Sequence, residues 1–295
     1  MGSSQLLSKD TEGCNPFLKW AGGKRWLAPK LASLLGVPLQ QRLVEPFLGS
    51  GAVFFYLRPK RALLADTNSE LIAAFRAVRN DAPSVIRELS KLGISQSKFR
   101  EMRGFSPSDD VSRAVRLIYL NRTAFNGLYR VNKAGKFNVP FGNKRGSKFC
   151  SPSHIREASF ALAGAAIRRW DFRKALAAAE LKHDILYIDP PYTVKHDNNG
   201  FRRYNDRIFT WLDQKELAEI LVDFARKGGR AIVSNAHHQE IRALYPPDAY
   251  HAIALSRPSC MAADPAKRGI STEWLFVSKA LSQSRAQIIE KLAGG

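Results

Sequence analysis

Residues 184–188, Asp-Ile-Leu-Tyr-Ile, form an apolar run with the length and the β-branched and aromatic content of a buried parallel strand. The run stops at Asp189, Pro190, Pro191 and Tyr192, because two consecutive prolines cannot continue a hydrogen-bonded ladder. In open α/β sheets, functional residues lie at the carboxyl ends of the strands. The sequence therefore predicts a buried parallel strand of an open α/β sheet, with a rigid bend where the strand ends.

The bend carries hydrogen-bond acceptors next to an aromatic ring. The Asp189 carboxylate and the Pro190 carbonyl are two fixed hydrogen-bond acceptors beside the aromatic ring of Tyr192. An exocyclic amine on a flat heterocycle needs acceptors for its two hydrogens and a ring on which to stack. Taken alone, the same four residues are equally consistent with an ordinary strand that ends in a Pro-rich turn.

The charge of the chain points to a polyanionic partner. There are 46 Lys and Arg residues against 26 Asp and Glu residues, a net charge of +20. Nucleic acid is the polyanion that such a chain is expected to bind, and a membrane surface is the competitor. The sequence has no apolar stretch long enough to span a bilayer. Residues 1–15 are polar and Ser-rich, and we expect a disordered tail there.

The cysteines argue against a metal site or a disulfide framework. Cys14, Cys150 and Cys260 are odd in number, far apart and not at ligand spacing from any histidine. We therefore expect reduced thiols, no bound metal and a cytoplasmic location.

Two glycine-containing segments near the start are typical of small-molecule binding. Trp20 and Lys24 offer a ring and a cation on either side of a glycine pair, and Gly49 and Gly51 form a turn between a strand and a helix. Asp66 ends the next strand, where an acid can accept hydrogen bonds from ribose hydroxyls. The alternatives are a helix start with a solvated lysine, and a helix N-cap at Asp66.

The alternation of strand and helix breaks down in residues 80–164. Helical patterns at 83–92 and 111–121 precede two β-type runs around the turn 133–136, in which Gly135 tolerates a positive φ. The hairpin is basic enough to enter a major groove. The alternative is that most of its cations are solvated or contact phosphates.

Further elements are predicted after residue 164. Residues 165–172 are expected to form a strand, and residues 193–208 a polar lid or a disordered connection. Asp213 and Glu216 resemble a capping box for a helix over 213–225.

Five segments together resemble the DNA adenine-N6 methyltransferases of the Dam type. The resemblance covers residues 17–277, and the segments, in the family's order, are 17–24, 45–51, 121–130, 137–142 and 189–192. It implies a doubly wound, mostly parallel Rossmann-like sheet. It also implies an S-adenosylmethionine-dependent catalytic domain, 16–79 and 165–295, with a helical and hairpin target-recognition domain, 80–164, inserted into it.

The resemblance also assigns site residues. Those implied to be catalytic are Asp189, Pro190 and Tyr192. Those implied to bind S-adenosylmethionine are Trp20, Lys24, Phe47, Gly49, Gly51, Asp66, Asp171 and Asp189. Those implied to contact DNA are Arg122, Asn126, Arg130, Lys133 and Lys136.

The implied function is methyl transfer to adenine N6 in double-stranded DNA, at GATC or a related short site. We expect a cytoplasmic, nucleoid-associated monomer, with a dimer on DNA as the alternative, and a restriction endonuclease as a further partner. Other readings are a DNA-binding protein with an inactive methyltransferase fold, or a methyltransferase acting on RNA or cytosine N4. A dehydrogenase is disfavoured because the third glycine of its fingerprint is missing.

Overall fold

A computed structural model describes residues 14–132, 134–142, 151–193, 209–258, 270–282 and 284–293. Most of the predicted tail, Lys133, Cys150, Cys260 and residues 194–208 of the predicted lid lie outside the described residues. Within them, no helix combines the length and the apolar character that crossing a bilayer requires.

The chain divides into two compact units. The first contains the described residues up to Pro29 together with Leu48–Arg169. The second contains Lys30–Phe47 and the described residues from Trp170 onward. The functional division into a catalytic domain and a recognition domain stays a prediction.

The strands form one seven-stranded sheet in the order β3-β2-β1-β4-β5-β7-β6. Their bounds are β1 Arg42–Glu45, β2 Ala62–Ala65, β3 Ala165–Arg168, β4 Asp184–Ile188, β5 Arg230–Ala236, β6 Tyr250–Pro258 and β7 Ile270–Ser278.

The helices of the described residues cover most of the remaining chain. They are α1 Ala28–Leu35, α2 Ala52–Leu57, α3 Ser69–Asn80, α4 Ala82–Ser90, α5 Gln96–Gly104, α6 Asp110–Thr123, α7 Pro152–Leu162, α8 Phe172–Ala177, α9 Trp211–Arg226, α10 Gln239–Ala243 and α11 Arg285–Ala293, with a 3₁₀ turn at Phe125–Gly127.

Strand β4 is central, as its apolar composition predicts. All five of its residues are buried, and it pairs in parallel with β1 on one side and β5 on the other. Strand β7 runs antiparallel to both of its neighbours, whereas β2 and β3 form a parallel pair. The strand order reverses between β1 and β4, so Phe47 and Asp189 follow the carboxyl ends of the two strands at the switch point, where ligands of open sheets bind.

A buried ion pair joins the first residues of β1 and β4. Arg42 and Asp184 are register partners, and the Arg42 guanidinium donates from Nε and Nη2 to the two carboxylate oxygens at 2.8 and 2.6 Å. The Asp184 side chain is fully buried and also accepts from the Glu180 backbone N–H at 2.7 Å. The pair therefore fixes the start of the strand that leads to the Asp-Pro-Pro-Tyr bend.

Two predicted boundaries are wrong. The strand expected over 165–172 ends at Arg168, because the Asp171 carboxylate accepts from the Lys174 backbone N–H and caps α8. The capping box of α9 is formed by Thr210 and Asp213, not by Asp213 and Glu216. Glu216 instead pairs with Arg173, a partner that lies far away in the sequence.

The region 80–164 contains the two predicted helices as α4 and α6, and two more, α5 and α7, that the sequence patterns did not reveal. Among the described residues, the predicted hairpin carries antiparallel bridges from Val131 to Phe137 and from Ala124 to Phe141. Gly135 has a φ of 73°, as predicted for the turn.

Candidate active site

The carboxylate of Asp189 is held from the neighbouring strand. Ser234, in β5, is buried and donates from Oγ to Asp189 Oδ1 at 2.8 Å. The Ser234 Oγ also lies 3.3 Å from the hydroxyl of Tyr187, within β4. Because β4 and β5 are parallel and in register, the carboxyl end of one strand orients the acid that follows the other. The sequence analysis did not assign a role to Ser234.

The rest of the bend presents one carbonyl and one ring. Pro190 is buried, and Tyr192 is partly exposed. Two proline rings restrict the backbone between Asp189 and Tyr192, so the two side chains have little freedom to separate. The bend can therefore offer two acceptors and a stacking face without first being ordered by a ligand.

Three phenylalanines form a cluster in the same compact unit. The Phe47 ring lies 5.8 Å from the Phe172 ring, nearly parallel to it, and 5.5 Å from the Phe209 ring, at a right angle. Phe172 and Phe209 are buried, whereas Phe47 keeps part of its surface exposed. Phe47 therefore presents a supported aromatic surface at the end of β1.

In the other compact unit, Asp66 fixes the glycine turn. Its Oδ2 accepts from the Gly49 backbone N–H at 3.2 Å, and its Oδ1 accepts from the Asn68 backbone N–H at 2.9 Å. Asp66 is not the N-cap of α3: Asn68 caps that helix by accepting from Glu70 and Leu71. Burial raises the pKa of the Asp66 carboxyl, and the N–H donors from Asn68 and Gly49 oppose that rise.

Trp20 packs against the same turn. A Cβ placed on Gly49 would lie only 3.0 Å from Trp20 Cδ1, and Gly49 has a φ of 48°. Lys24 is buried, and its Nζ donates to the Gly22 carbonyl at 3.2 Å. Trp20, Gly49 and Asp66 thus form one contact group, and the alternative of Lys24 as a solvated residue is wrong.

The predicted DNA contacts fall into two groups. Asn126, Arg130 and Lys136 are exposed, and Asn126 has a left-handed φ of 52°. Arg130 donates from Nε to Asn138 Oδ1 at 2.8 Å across the hairpin. Arg122 instead donates to the Phe17 backbone carbonyl at 2.7 and 2.9 Å, which gives its guanidinium a structural partner.

Comparison with known proteins identifies the family. The model of the D12 class N6 adenine-specific DNA methyltransferases matches residues 20–256, which is most of the chain. The chain belongs to this family. The adenine specificity of the family removes cytosine N4 and RNA as the principal targets, and it makes the protein an enzyme that acts on DNA.

Curated relatives agree with the D12 family model. A type II methyltransferase, M1.LlaDCHI, from Lactococcus lactis subsp. cremoris is 33% identical over 278 residues, covering 91% of this chain and 96% of the relative. The DNA adenine methylase of Escherichia coli (strain K12) is 31% identical over 250 residues, covering 82% and 87%. The type II methyltransferase M.MjaIII of Methanocaldococcus jannaschii is 31% identical over 245 residues, covering 76% and 84%.

In this D12 methyltransferase, Gly49→Ala is expected to raise the KM for the methyl donor about tenfold or more. The new Cβ displaces Trp20 and also strains a left-handed backbone, at a cost of about 1 kcal/mol for the backbone alone. Gly36→Ala is the matched control, because Gly36 has a φ of 74° with open space around its Cβ position. Steady-state kinetics with varied donor concentration gives the KM of both variants. Gly36→Ala carries only the backbone strain, so the difference in KM reports the contact with Trp20. Equal KM values for the two variants would show that the contact with Trp20 has no role.

Proposed function

We propose that this adenine methyltransferase uses S-adenosylmethionine and modifies adenine N6 in a short duplex site, GATC or a related sequence. The observation that carries the proposal is the Asp189 carboxylate, held by Ser234 beside the Pro190 carbonyl and the Tyr192 ring. These groups match the two hydrogens and the flat ring of an adenine amine.

The residues of the glycine turn fit the donor. The Asp66 oxygens accept backbone N–H groups that include those of Gly49 and Asn68, and we propose that their remaining lone pairs accept from the ribose hydroxyls. Gly49 and Gly51 both have a positive φ, which forms the tight turn. Trp20, which packs on Gly49, and Lys24 supply a ring and a cation. We propose further donor contacts from Phe47 and Asp171, and from Asp189. S-adenosylmethionine supplies an electrophilic methyl group carried on a sulfonium.

The role of Asp189 follows from the weakness of the nucleophile. The lone pair of the adenine amine is delocalised into the ring. Hydrogen bonds from the amine to the Asp189 carboxylate and the Pro190 carbonyl favour a pyramidal nitrogen with a localised lone pair. A carboxylate is too weak a base to deprotonate a neutral aromatic amine, so the proton leaves after the N–C bond has formed and the S–C bond has broken. The acceleration then comes from positioning and fixed charge.

Tyr192 acts on a base that has left the helix. Adenine N6 is inaccessible within a stacked duplex, so the base must be flipped out, at a cost of a few kcal/mol. Stacking on an aromatic ring offsets about 1–3 kcal/mol of this cost. The partial exposure of Tyr192 leaves ring surface for this purpose.

The hairpin supplies the proposed DNA contacts. We propose that Arg130 reads guanine with its guanidinium, because that fork matches the O6 and N7 acceptors. Asn126, Lys133 and Lys136 would contact the same DNA. We propose that Arg122 acts indirectly, by holding the backbone at Phe17.

We further propose that the enzyme acts as a monomer on DNA in the cytoplasm. A restriction endonuclease is proposed as its functional partner, because two of the relatives are named type II methyltransferases.

The decisive experiment incubates the protein with methyl-labelled donor and a set of duplexes, then identifies the modified base and its sequence context. N6-methyladenine in GATC or a related site is the expected result. Label on cytosine alone, or no label in any duplex, would overturn the proposal.

The donor KM is expected to depend on pH through Asp66. Because burial raises the pKa of its carboxyl above the ordinary 3.8, protonation begins at a higher pH than for an exposed aspartate. Falling pH then removes the charged acceptor for the ribose hydroxyls, so the donor KM rises. Donor KM measured from neutral to acidic pH should show this rise in the wild type and a flatter profile in Asp66→Asn. Parallel profiles would contradict the role of Asp66.

A further inference from the structure

The ring of Tyr129 stacks on the ring of Trp20. Their centroids are 5.2 Å apart and their planes differ by 17°, a stacked geometry. Trp20 belongs to the segment 17–24, called the donor segment, and Tyr129 belongs to the recognition segment, residues 125–142, which contains the 3₁₀ turn and the hairpin. Both residues lie in the same compact unit. A residue proposed to bind the methyl donor is thus in direct contact with the element proposed to read DNA.

The side chain of Asn121, in α6, bonds to the backbone of both segments. The Asn121 side chain, fully buried, accepts from the Lys19 N–H and donates to the Lys19 carbonyl, each at 2.8 Å. It also donates to the Gly127 carbonyl at 2.9 Å. A Cβ on Gly127 would lie 2.5 Å from the Lys19 side chain, so these two segments of the chain are in close contact. These bonds join the two backbones, and the stack joins the Trp20 and Tyr129 side chains.

The backbone of the hairpin links the position of Tyr129 to that of Arg130, the next residue in the sequence. The Tyr129 ring also makes an edge-type contact with the buried Phe137 ring, with centroids 5.9 Å apart. Arg130 follows directly, and its backbone carbonyl accepts from the Asn138 N–H at 3.0 Å. A shift of Tyr129 therefore moves the backbone that carries Arg130.

We propose that Tyr129 is a positioning residue that couples binding of the methyl donor at Trp20 to recognition of DNA by the hairpin. The inference rests on the proposed function of these two segments. A donor that orders Trp20 also orders Tyr129 and the hairpin, so donor and DNA each strengthen the binding of the other. Linkage requires the two effects to be equal.

The test measures DNA affinity with and without a saturating concentration of S-adenosylhomocysteine, the demethylated product. Wild-type protein is expected to bind a cognate duplex about tenfold more tightly when this probe is present, within the usual range of coupling. Tyr129→Leu keeps apolar volume against Phe137 but removes the stacked ring, and its coupling factor is expected to fall below about twofold. Tyr129→Phe retains the ring and the coupling. Phe160→Ala, which removes an exposed aromatic side chain of α7, is the control and keeps the wild-type factor.

Circular dichroism must show that each variant is fully folded without the probe, because a probe that binds only folded protein would otherwise inflate the coupling factor of a partly unfolded variant. Calorimetry in the other direction must give the same factor for probe affinity with and without duplex. A Tyr129→Leu factor equal to that of the wild type, or a wild-type factor of one, would overturn the inference while leaving the proposed function intact. Failure of the wild type to bind the probe would overturn the proposed function as well.

Discussion

Asp189→Ala is expected to lower kcat for methyl transfer by about a thousandfold or more, while leaving the affinity for duplex within a few-fold of wild type. The attraction between the carboxylate and the amine is strongest when positive charge develops on the nitrogen. Removing the carboxylate therefore raises the free energy of the transition state more than that of the bound complex. Single-turnover kinetics and equilibrium binding to a cognate duplex measure the two quantities separately.

Ser234 allows a graded version of the same experiment. Ser234→Ala leaves the Asp189 carboxylate in place but removes the donor that lies 2.8 Å from its Oδ1. Loss of a hydrogen bond to a charged carboxylate, about 1.5 kcal/mol or more, corresponds to at least about a tenfold fall in kcat, with KM unchanged. Ser234→Thr keeps the hydroxyl and is expected to recover most of the rate. A variant of Asp189 that loses DNA binding and methyl transfer in equal measure would contradict a catalytic role.

Asp184→Ala is expected to lower the free energy of unfolding by about 3–5 kcal/mol. The substitution leaves the Arg42 guanidinium, which is only 25% exposed, without its buried partner. It also removes the acceptor of the Glu180 N–H and leaves space within β4. Urea denaturation followed by circular dichroism measures the change.

Glu88→Ala is the matched control for an ion pair, because Glu88 pairs with Lys91 on an exposed helix surface. Surface pairs of this kind contribute little, so the denaturation midpoint is expected to stay close to wild type. An Asp184→Ala midpoint equal to that of Glu88→Ala would show that the buried pair does not hold β1 and β4 together.

The sheet and the residues that follow its strands were predictable because their signals are local. An apolar run that ends in Asp189-Pro190-Pro191-Tyr192 favours one conformation, a buried strand followed by a bend, whatever its surroundings. The turn at Gly135 is local in the same way, since only its own φ is at issue. Helices α5 and α7 were missed because few of their side chains are buried, which leaves a weak periodic pattern.

The partners of the site residues were not predictable from the sequence. Ser234 lies 45 residues from Asp189, and Asn121 lies 102 residues from Lys19. In the sequence, Glu216 resembles part of a capping box, but in the structure it pairs with Arg173, which lies 43 residues away. Local preferences do not decide among such contacts, because many polar residues in a chain of this length have the required chemistry.

The sequence by itself determined the class of fold, because hydrophobic period, proline and glycine act through the backbone of their immediate neighbours. The order of its five motifs determined the family, and the site residues that those motifs assign stay a prediction. Only the tertiary structure decided which groups meet: Ser234 with Asp189, Asp66 with Gly49, and Tyr129 with Trp20. The physical reason is that strand pairing and packing bring together residues that are remote in the chain, and those contacts set orientation, burial and pKa.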